Sequence, residues 1–390
     1  MQVGQVVYLD NAATVYPKPK EVIDLMCQFY SETGVSPGRS GHDLGIEVEK
    51  LVKETRKLLT KLFKGTDSDR LVFTYNASDS LNIIINGILK QGDHVVTTNM
   101  EHNSVLRPLY HLQYKGIIEV DHIPVDNEGY IDPDDVKQKI KKNTRLVMVN
   151  HASNVLGTIQ PVAEIGRICK ESNVIFCLDV AQTAGVVPID VQSFNVDVVA
   201  FTGHKSLLGP TGIGGIYVGE GVEIELTRFG GTGVRSAYPF HLPEYPYRLE
   251  VGTLNVIGIA GLNAGQKYIT KIGLANIYKE EMKLFNLLQE GLEDIGHIMI
   301  YGTKSLGNRT PVLSLNIEGY EAFDVGIMLN GDYNIAVRTG LQCAPKLHEQ
   351  LGTNPTGTVR FSIGPMNTED DILQAIQAVG ELAVSGSIAK

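Results

Sequence analysis

Residues 173–205 read NVIFCLDVAQTAGVVPIDVQSFNVDVVAFTGHK. Two apolar runs stand in this stretch, Asn173–Asp179 and Val196–Thr202. Neither alternates apolar with polar residues at every second place. A strand with one wet face alternates; a strand covered on both faces stays apolar throughout. Both runs therefore predict interior strands of a largely parallel sheet. Each also ends on chemistry. The first closes on Asp179, with Gln182 three residues on, and the second leads into Gly203-His204-Lys205.

The pattern extends in both directions. Apolar runs precede it at Arg70–Tyr75, Asp93–Thr98, Gly116–Pro124 and Arg145–Asn150, and another follows at Ile213–Val218. Between them, Ser78–Leu89, Asn103–Tyr114, Asp134–Lys142 and Val162–Glu171 have helical spacing. Strands alternating with helices predict an α/β fold with helices on both faces of the sheet. This domain is placed at 15–260. The character changes near Val256. Ile259–Ile295 reads as two long helices, followed by short strands at Pro311–Ile317, Ile335–Arg338 and Thr358–Ser362. Thr368–Ala383 reads as the last helix, capped by Asn367 or Thr368 with acids in its first turn. A smaller α+β domain is expected from 1–14 plus 261–390.

Composition narrows the function. The chain has 390 residues, 34 Lys+Arg and 44 Asp+Glu, for a formal net charge of −10. An acidic chain with no basic run is a poor polyphosphate binder, so no nucleic-acid partner is expected. Apolar residues make up 43%, enough for a packed core. No apolar run approaches the roughly 18 residues of a membrane span. Met1–Asp10 has neither a basic nor a long apolar region, so no secretory signal is expected. The four cysteines are Cys27, Cys169, Cys177 and Cys343, with no Cys-x-x-Cys pair. That is no disulfide framework, and a reducing, cytoplasmic compartment is expected.

Three apparent motifs fail on physical grounds. Gly34-Val35-Ser36-Pro37-Gly38 fits G-x-S-x-G, but Pro37 has no N–H to offer an oxyanion hole. A loop is expected there. His348-Glu349 begins like a zinc-protease helix, yet position 352 is Gly in place of the second His. No metal site is expected. Gly209, Gly212, Gly214 and Gly215 precede a strand instead of following one, which suits a tight turn with close backbone approach and not a dinucleotide loop.

Ligands of open α/β sheets bind beyond the carboxyl ends of the strands. Five predicted strand ends carry polar or ionisable groups: Asn76-Ala77-Ser78, Glu101-His102-Asn103, His151 with Asn154, Asp179 with Gln182, and Gly203-His204-Lys205. One such end is ordinary, but five on one edge point to a cofactor site. The set fits pyridoxal 5'-phosphate (PLP). Its aldehyde needs an amine, which Lys205 supplies, and its pyridine nitrogen needs a carboxylate, which Asp179 supplies. Its phosphate needs a helix N-terminus and hydroxyls, offered by Ala77, Ser78 and Thr202. His102 suits the face of the ring. Taken singly, Lys205 is an ordinary solvated lysine, Asp179 a turn cap and His102 a loop histidine; the case is the combination.

At this point the sequence resembles a known family. Leu9-Asp10-Asn11-Ala12-Ala13-Thr14, Glu101-His102-Asn103-Ser104, Ser153-Asn154-Val155-Leu156-Gly157-Thr158, Asp179-Val180-Ala181-Gln182 and Gly203-His204-Lys205 are similar to the cysteine desulfurases, fold-type I PLP enzymes of the class V aminotransferase group. Glu250-Val251-Gly252-Thr253, Arg338-Thr339-Gly340-Leu341-Gln342-Cys343-Ala344-Pro345 and Val359-Arg360-Phe361-Ser362 continue the likeness to about residue 380. The resemblance implies a mostly parallel seven-stranded sheet and a homodimer with sites at its interface. It implies catalytic roles for Lys205, His102 and Cys343. Lys205 would bind the cofactor as a Schiff base, His102 would stack on the ring and move protons, and Cys343 would accept sulfur. Gln182 would meet the ring hydroxyl, and His204 would join Ala77, Ser78 and Thr202 at the phosphate. Thr253 would reach the phosphate of the other subunit. Asn154, Arg360 and Ala13 would line the substrate, with the Arg fork on its carboxylate.

The implied reaction removes sulfur from L-cysteine, leaving L-alanine and a persulfide on Cys343. Cys169 and Cys177 lie in apolar patterns and Cys27 in a helical one, so all three are expected to be packing residues. Cys343 alone lies in a loop flanked by Gly and Pro. The sequence also departs from the family. Gly252-Thr253-Leu254 replaces Gly-Thr-Pro, Ala77-Ser78 replaces two hydroxyls, and Leu341 stands where many desulfurases have His. Arg338–Pro345 is compact, as in the short-loop desulfurases, so a docking acceptor protein for the sulfur is expected. The alternatives are a selenocysteine lyase acting on L-selenocysteine, an aminotransferase or C–S lyase without persulfide, and a binding protein on a retired fold. Gly34–His42 and Phe229–Arg235, rich in Gly, read as covers for the substrate or as plain connectors.

Overall fold

The computed structural model describes residues 6–37 and 42–388. Its centre is a seven-stranded sheet in the spatial order Leu71–Thr74, Gly214–Val218, Val198–Thr202, Ile175–Asp179, Thr144–Asn150, Asp93–Thr98, Ile118–Ile123. Six strands run in one direction and Gly214–Val218 runs against its two neighbours. The continuous apolar runs have a direct cause. Val147, Val149, Phe176, Leu178, Val199 and Phe201 enter one core. Their neighbours Leu146, Met148, Cys177, Val198 and Ala200 enter another on the opposite face. Successive side chains of a strand point to opposite faces, so a sheet covered on both sides buries them all.

The helices are built by the same logic. Val162–Glu171 buries Val162, Ile165 and Cys169 on one stripe. It approaches the next segment so closely that a Cβ on Gly166 would lie 1.8 Å from the Phe194 carbonyl oxygen. The glycines at 214 and 215 are likewise a matter of space. A Cβ on Gly214 would sit 2.7 Å from Asn76 Cα, and one on Gly215 would sit 2.5 Å from the Val72 carbonyl oxygen. Small residues there let the antiparallel strand lie against the turn that opens helix Ala77–Ile88.

The C-terminal third forms a second layer. Arg338–Gly340, Thr358–Ser362, Val312–Ile317 and Ile298–Tyr301 make an antiparallel four-stranded sheet. Helices Leu274–Glu293, Ala322–Tyr333 and Glu369–Ile388 share one apolar cluster with it. The beginning of the chain returns to this layer: Val7–Tyr8 pairs with Ile335–Ala336, and Asp10 bridges to Ser362. The single strand expected at Ile335–Arg338 is therefore two, because its halves pair with different partners. The two long helices divide at Gly273, whose φ of +89° ends Val256–Ile272 and starts Leu274–Glu293.

One expectation fails. Cys27 is exposed. Helix Lys20–Glu32 buries Val22 and Phe29, seven residues apart on one stripe. Cys27 is five residues from Val22, which turns it well away from that stripe. Cys169 and Cys177 are buried. Gly34 to Pro37 has no regular structure, and the rest of the expected loop, residues 38–41, lies outside the described residues. Segment 229–235 also has no regular structure.

A buried ion pair fastens helix Asp43–Leu62 to the large sheet. Arg56 Nη2 meets Glu250 Oε2 at 2.6 Å, and Glu250 Oε1 accepts the Phe73 N–H at 2.8 Å. Both side chains are almost fully buried. Breaking such a pair by removing one member leaves a charge unpaired. Glu250→Ala is expected to lower unfolding free energy by about 3–5 kcal/mol in urea denaturation. A loss under about 1 kcal/mol would show that the pair is not what fastens these elements.

Candidate active site

The carboxyl edge of the parallel strands opens into a cavity of about 320 Å³. Strand Val198–Thr202 delivers Thr202, His204 and Lys205, strand Ile175–Asp179 delivers Asp179 and Gln182, and strand Thr144–Asn150 delivers Asn150 and Asn154. Strand Asp93–Thr98 leads to His102, and strand Leu71–Thr74 leads to Ala77 and Ser78. Ala13 comes from the N-terminal segment, and Cys343 and Arg360 come from the second layer. All five expected strand ends thus reach one cavity. Of the expected site residues only Thr253 stands apart, in a neighbouring cleft with Tyr75, Asp79 and Arg228.

Desolvation sets the charges here. Lys205 is half-buried in the cavity, and loss of water holds its amine at about 8, below the ordinary 10.5. Asp179 opposes that shift by favouring the charged amine. Asp179 is itself buried, which raises its pKa, while the Ala181 N–H and Lys205 act in the other sense. His102 is pushed down to about 4, first by burial and then by Lys205 and nearby arginines. Its Nδ1 accepts the Ser104 N–H at 3.0 Å, so the ring proton resides on Nε2. Ser104 Oγ lies 2.8 Å from the same nitrogen and 2.6 Å from Ser78 Oγ.

One end of the cavity is a helix start. Asn76 caps helix Ala77–Ile88 by accepting the Asp79 N–H at 3.0 Å. The N–H groups of the first turn point out of the helix with no carbonyl to meet. Beside them, Thr202 Oγ1 and His204 Nδ1 are buried without a hydrogen-bond partner. Unpartnered buried polar atoms are rare in folded proteins, and each needs an account. An anion at the helix start supplies one. Together with the Lys205 amine and the buried Asp179 carboxyl, these atoms fit PLP.

The second layer brings Arg360 to the cavity, and its side chain is 3% exposed. Its Nη2 meets Asp10 Oδ1 at 2.5 Å and its Nη1 donates to the Asn154 carbonyl oxygen at 3.0 Å. Burial lowers its pKa, and Asp10 opposes that. Its Nε is buried and unpartnered. Asn154 Nδ2 donates to the Gln342 carbonyl oxygen at 2.7 Å. Cys343 follows in a turn where Gln342 and Cys343 have φ of +40° and +61°. The Cys343 carbonyl accepts the Asn103 N–H at 2.7 Å, so the helix that begins beside His102 rests on the turn that carries the thiol.

Sequence reasoning missed Ser104, Asn150 and Asp10 as parts of the site. Ser104 stood in a quoted motif, and its place in the first turn after His102 was the available signal. Asp10 also stood in a quoted motif, but nothing local marks its partner, which is 350 residues away. Two residues at the predicted strand ends point elsewhere. His151 Nδ1 lies 2.9 Å from Thr183 Oγ1, away from the cavity. Glu101 is buried, accepts the Thr98 hydroxyl and the Asn150 N–H, and is raised to about 8 by burial. Among the described residues no cluster of His, Cys, Asp and Glu has the form of a metal site, and no helix is long and apolar enough to cross a membrane.

The pattern of the family described as Aminotransferase class-V matches residues 7–374. The chain belongs to that family, among its cysteine desulfurases. It is 36% identical to a probable cysteine desulfurase of Methanothermobacter thermautotrophicus, over 97% of this chain and 95% of the relative. It is 37% identical to a probable cysteine desulfurase of Pyrococcus abyssi, over 98% and 95%. Its fold is similar to that of the apo cysteine desulfurase from Thermococcus onnurineus NA1, with a TM-score of 0.92, 36% identity, and coverage of 97% of this chain and 95% of that one. The chain is thus a PLP-dependent enzyme of the desulfurase type, and these likenesses favour that reading over a selenocysteine lyase or an aminotransferase.

The state of His102 in the desulfurase is open to direct measurement. Folded His102 takes a proton near pH 4, whereas the unfolded chain takes it near 6.5. This group's contribution therefore favours folding above 6.5 and is lost as pH falls toward 4. Histidine NMR of cofactor-free protein is expected to show the Nε2–H tautomer and a midpoint below 5. A midpoint near 6.5 would mean that the ring is solvated and outside the cavity wall.

Proposed function

We propose that this desulfurase removes sulfur from L-cysteine and receives it on Cys343 as a persulfide, leaving L-alanine. The observation that carries the proposal is a single cavity lined by Lys205, Asp179 and His102 from the large sheet and by Cys343 and Arg360 from the second layer.

Lys205 would hold the aldehyde carbon of PLP, Asp179 its pyridine nitrogen and His102 the face of its ring. Gln182, whose amide donates to the Ala12 carbonyl oxygen at 3.1 Å, would meet the ring hydroxyl. Ala77, Ser78, Thr202 and His204 would hold the phosphate. When bound, the cofactor would supply an electron sink for the substrate α-carbon as it loses its proton, which allows the adjacent β-carbon to give up its sulfur. The remaining work falls to the chain. Arg360, fixed by Asp10 and the Asn154 carbonyl, orients the substrate carboxylate with Asn154 and Ala13 beside it. The Lys205 amine, held near 8, takes and returns a proton close to neutral pH. His102 would be neutral at that pH, with Nδ1 already accepting the Ser104 N–H, so its Nε2–H is left to donate a hydrogen bond without adding charge. The Cys343 thiolate attacks the substrate sulfur: an S–S bond forms, the substrate C–S bond breaks, and the carbon keeps the electron pair and takes a proton.

Cys343→Ala is expected to keep the cofactor's absorbance while persulfide on the enzyme disappears and sulfur removal falls by about 100-fold or more. Mass spectrometry after incubation with L-cysteine reads both outcomes, and a sulfur adduct on Cys27 instead would remove Cys343 from the reaction.

A second copy of the chain belongs in this reading. Thr253 lies in a cleft beside the cavity, and Tyr75, Phe229 and Phe240 are strongly exposed large side chains. Exposed aromatics on a soluble surface favour an interface. In a homodimer, the partner's Thr253 would reach this cavity's phosphate. Sedimentation of the holoenzyme is expected to give a dimer; a monomer at micromolar concentration that still turns over cysteine would end the idea. The compact Cys343 turn supports delivery of sulfur to a docking acceptor protein. The free thiols of all four cysteines support a reducing, cytoplasmic setting.

A further inference from the structure

The incomplete zinc motif at His348-Glu349 has another use. His348 is completely buried on the short helix Pro345–Gln350, five residues after Cys343. Its Nδ1 lies 2.7 Å from Thr353 Oγ1, and its Nε2 lies 2.8 Å from Gln342 Oε1. Gln342 Nε2 donates to the Thr358 carbonyl oxygen at 2.8 Å. A carbonyl only accepts, so Oε1 is the accepting end of this amide. His348 must then carry its proton on Nε2 and accept the Thr353 hydroxyl at Nδ1. Burial holds the ring at about 4, so it is neutral in the physiological range. Thr353, His348, Gln342 and Thr358 are all buried, and together they form one directed chain of hydrogen bonds.

That chain ends on an unusual piece of backbone. Gln342 and Cys343 are consecutive residues with positive φ, and neither is glycine. Side-chain-bearing residues rarely adopt this conformation, and it persists only where the surroundings over-determine it. Gln342 is held at both ends of its amide and at its carbonyl oxygen, which accepts from Asn154. The next turn is equally crowded: a Cβ on Gly357 would lie 2.1 Å from Gly340.

We propose that His348 is a positioning residue for sulfur transfer: its Nε2–H, acting through Gln342, holds the left-handed turn that sets the Cys343 thiol in the cofactor cavity. The proposal rests on Cys343 as the sulfur acceptor. It assigns to His348 no contact with substrate or cofactor.

Three substitutions separate hydrogen bonding from packing. His348→Gln places an amide N–H near the position of Nε2. His348→Asn keeps only a polar atom near Nδ1, and His348→Leu keeps neither. On the holoenzymes, single-turnover persulfide formation, KM for L-cysteine, cofactor absorbance and the rate of Cys343 alkylation by iodoacetamide are measured together. His348→Asn and His348→Leu are expected to slow sulfur transfer by about 100-fold, the scale set by small misplacement of a reacting group. KM and absorbance should stay near wild type, because Arg360 keeps Asp10 and the Asn154 carbonyl and Lys205 follows a different strand of the large sheet. Alkylation of Cys343 should become several-fold faster as the turn loosens. His348→Gln should restore both rates to within about fivefold. Equal impairment in the Gln and Asn variants would overturn the proposal, as would wild-type transfer in the Asn variant. If the Leu variant does not fold, the Gln–Asn contrast still decides. Full sulfur removal by Cys343→Ala would defeat the acceptor role instead, while the alkylation contrast would still report on the turn.

Discussion

Desolvation at the carboxyl edge of the parallel sheet is the constraint on which the rest of the molecule depends. Both faces of the sheet are sealed by apolar side chains. Polar groups therefore gather at the strand ends, where backbone N–H groups and side chains still face open space. Removing water there shifts every titratable group toward its neutral form. It lowers the Lys205 amine to about 8, lowers His102 and His204 to about 4, and raises Asp179. An amine that is partly neutral near physiological pH can meet an aldehyde. A carboxyl beside it gains from a positive partner such as a protonated ring nitrogen. The same loss of water thus prepares both the attachment point and its counter-ion.

The second layer contributes Arg360 and Cys343 to the cavity, and bonds that cross between the layers hold them there. Asp10, from the first residues of the described chain, pairs with Arg360. Arg360 donates to the Asn154 carbonyl, and Asn154 donates to the Gln342 carbonyl, one residue before Cys343. The Cys343 carbonyl returns the connection to Asn103, beside His102. Arg360, the Cys343 turn and the helix start beside His102 are thereby linked through one continuous set of hydrogen bonds. Displacement of one member costs its immediate neighbour a partner, and buried polar networks of this sort specify geometry more than they add stability.

Much of this was legible in one dimension. Strand Asp93–Thr98 and helices Asn103–Tyr114 and Val162–Glu171 have the bounds that their periodicity predicts. Lys205, Asp179, His102, Ala77 and Ser78 could be singled out because parallel strands place their carboxyl ends on one edge. Other features were not legible. Cys27 looked like a packing residue because its neighbours are apolar, and only the phase of the helix against its core puts it outside. Ile335–Arg338 looked like one strand because a local pattern does not say which partner each half will find. Asp10 and His348 act through partners that the local sequence does not reveal.

The sequence by itself determined the α/β architecture, the edge on which a cofactor would sit, and the residue types able to hold it. These follow from periodicity, which is a local property, and from the rule that ligands meet the carboxyl ends of parallel strands. Only the tertiary structure decided the charge states of Lys205 and His102, the Asp10–Arg360 pair, the place of Thr253 outside the cavity, and the left-handed turn under Cys343. Each of those depends on desolvation or on contacts between segments far apart in the chain, and neither quantity exists until the chain is folded.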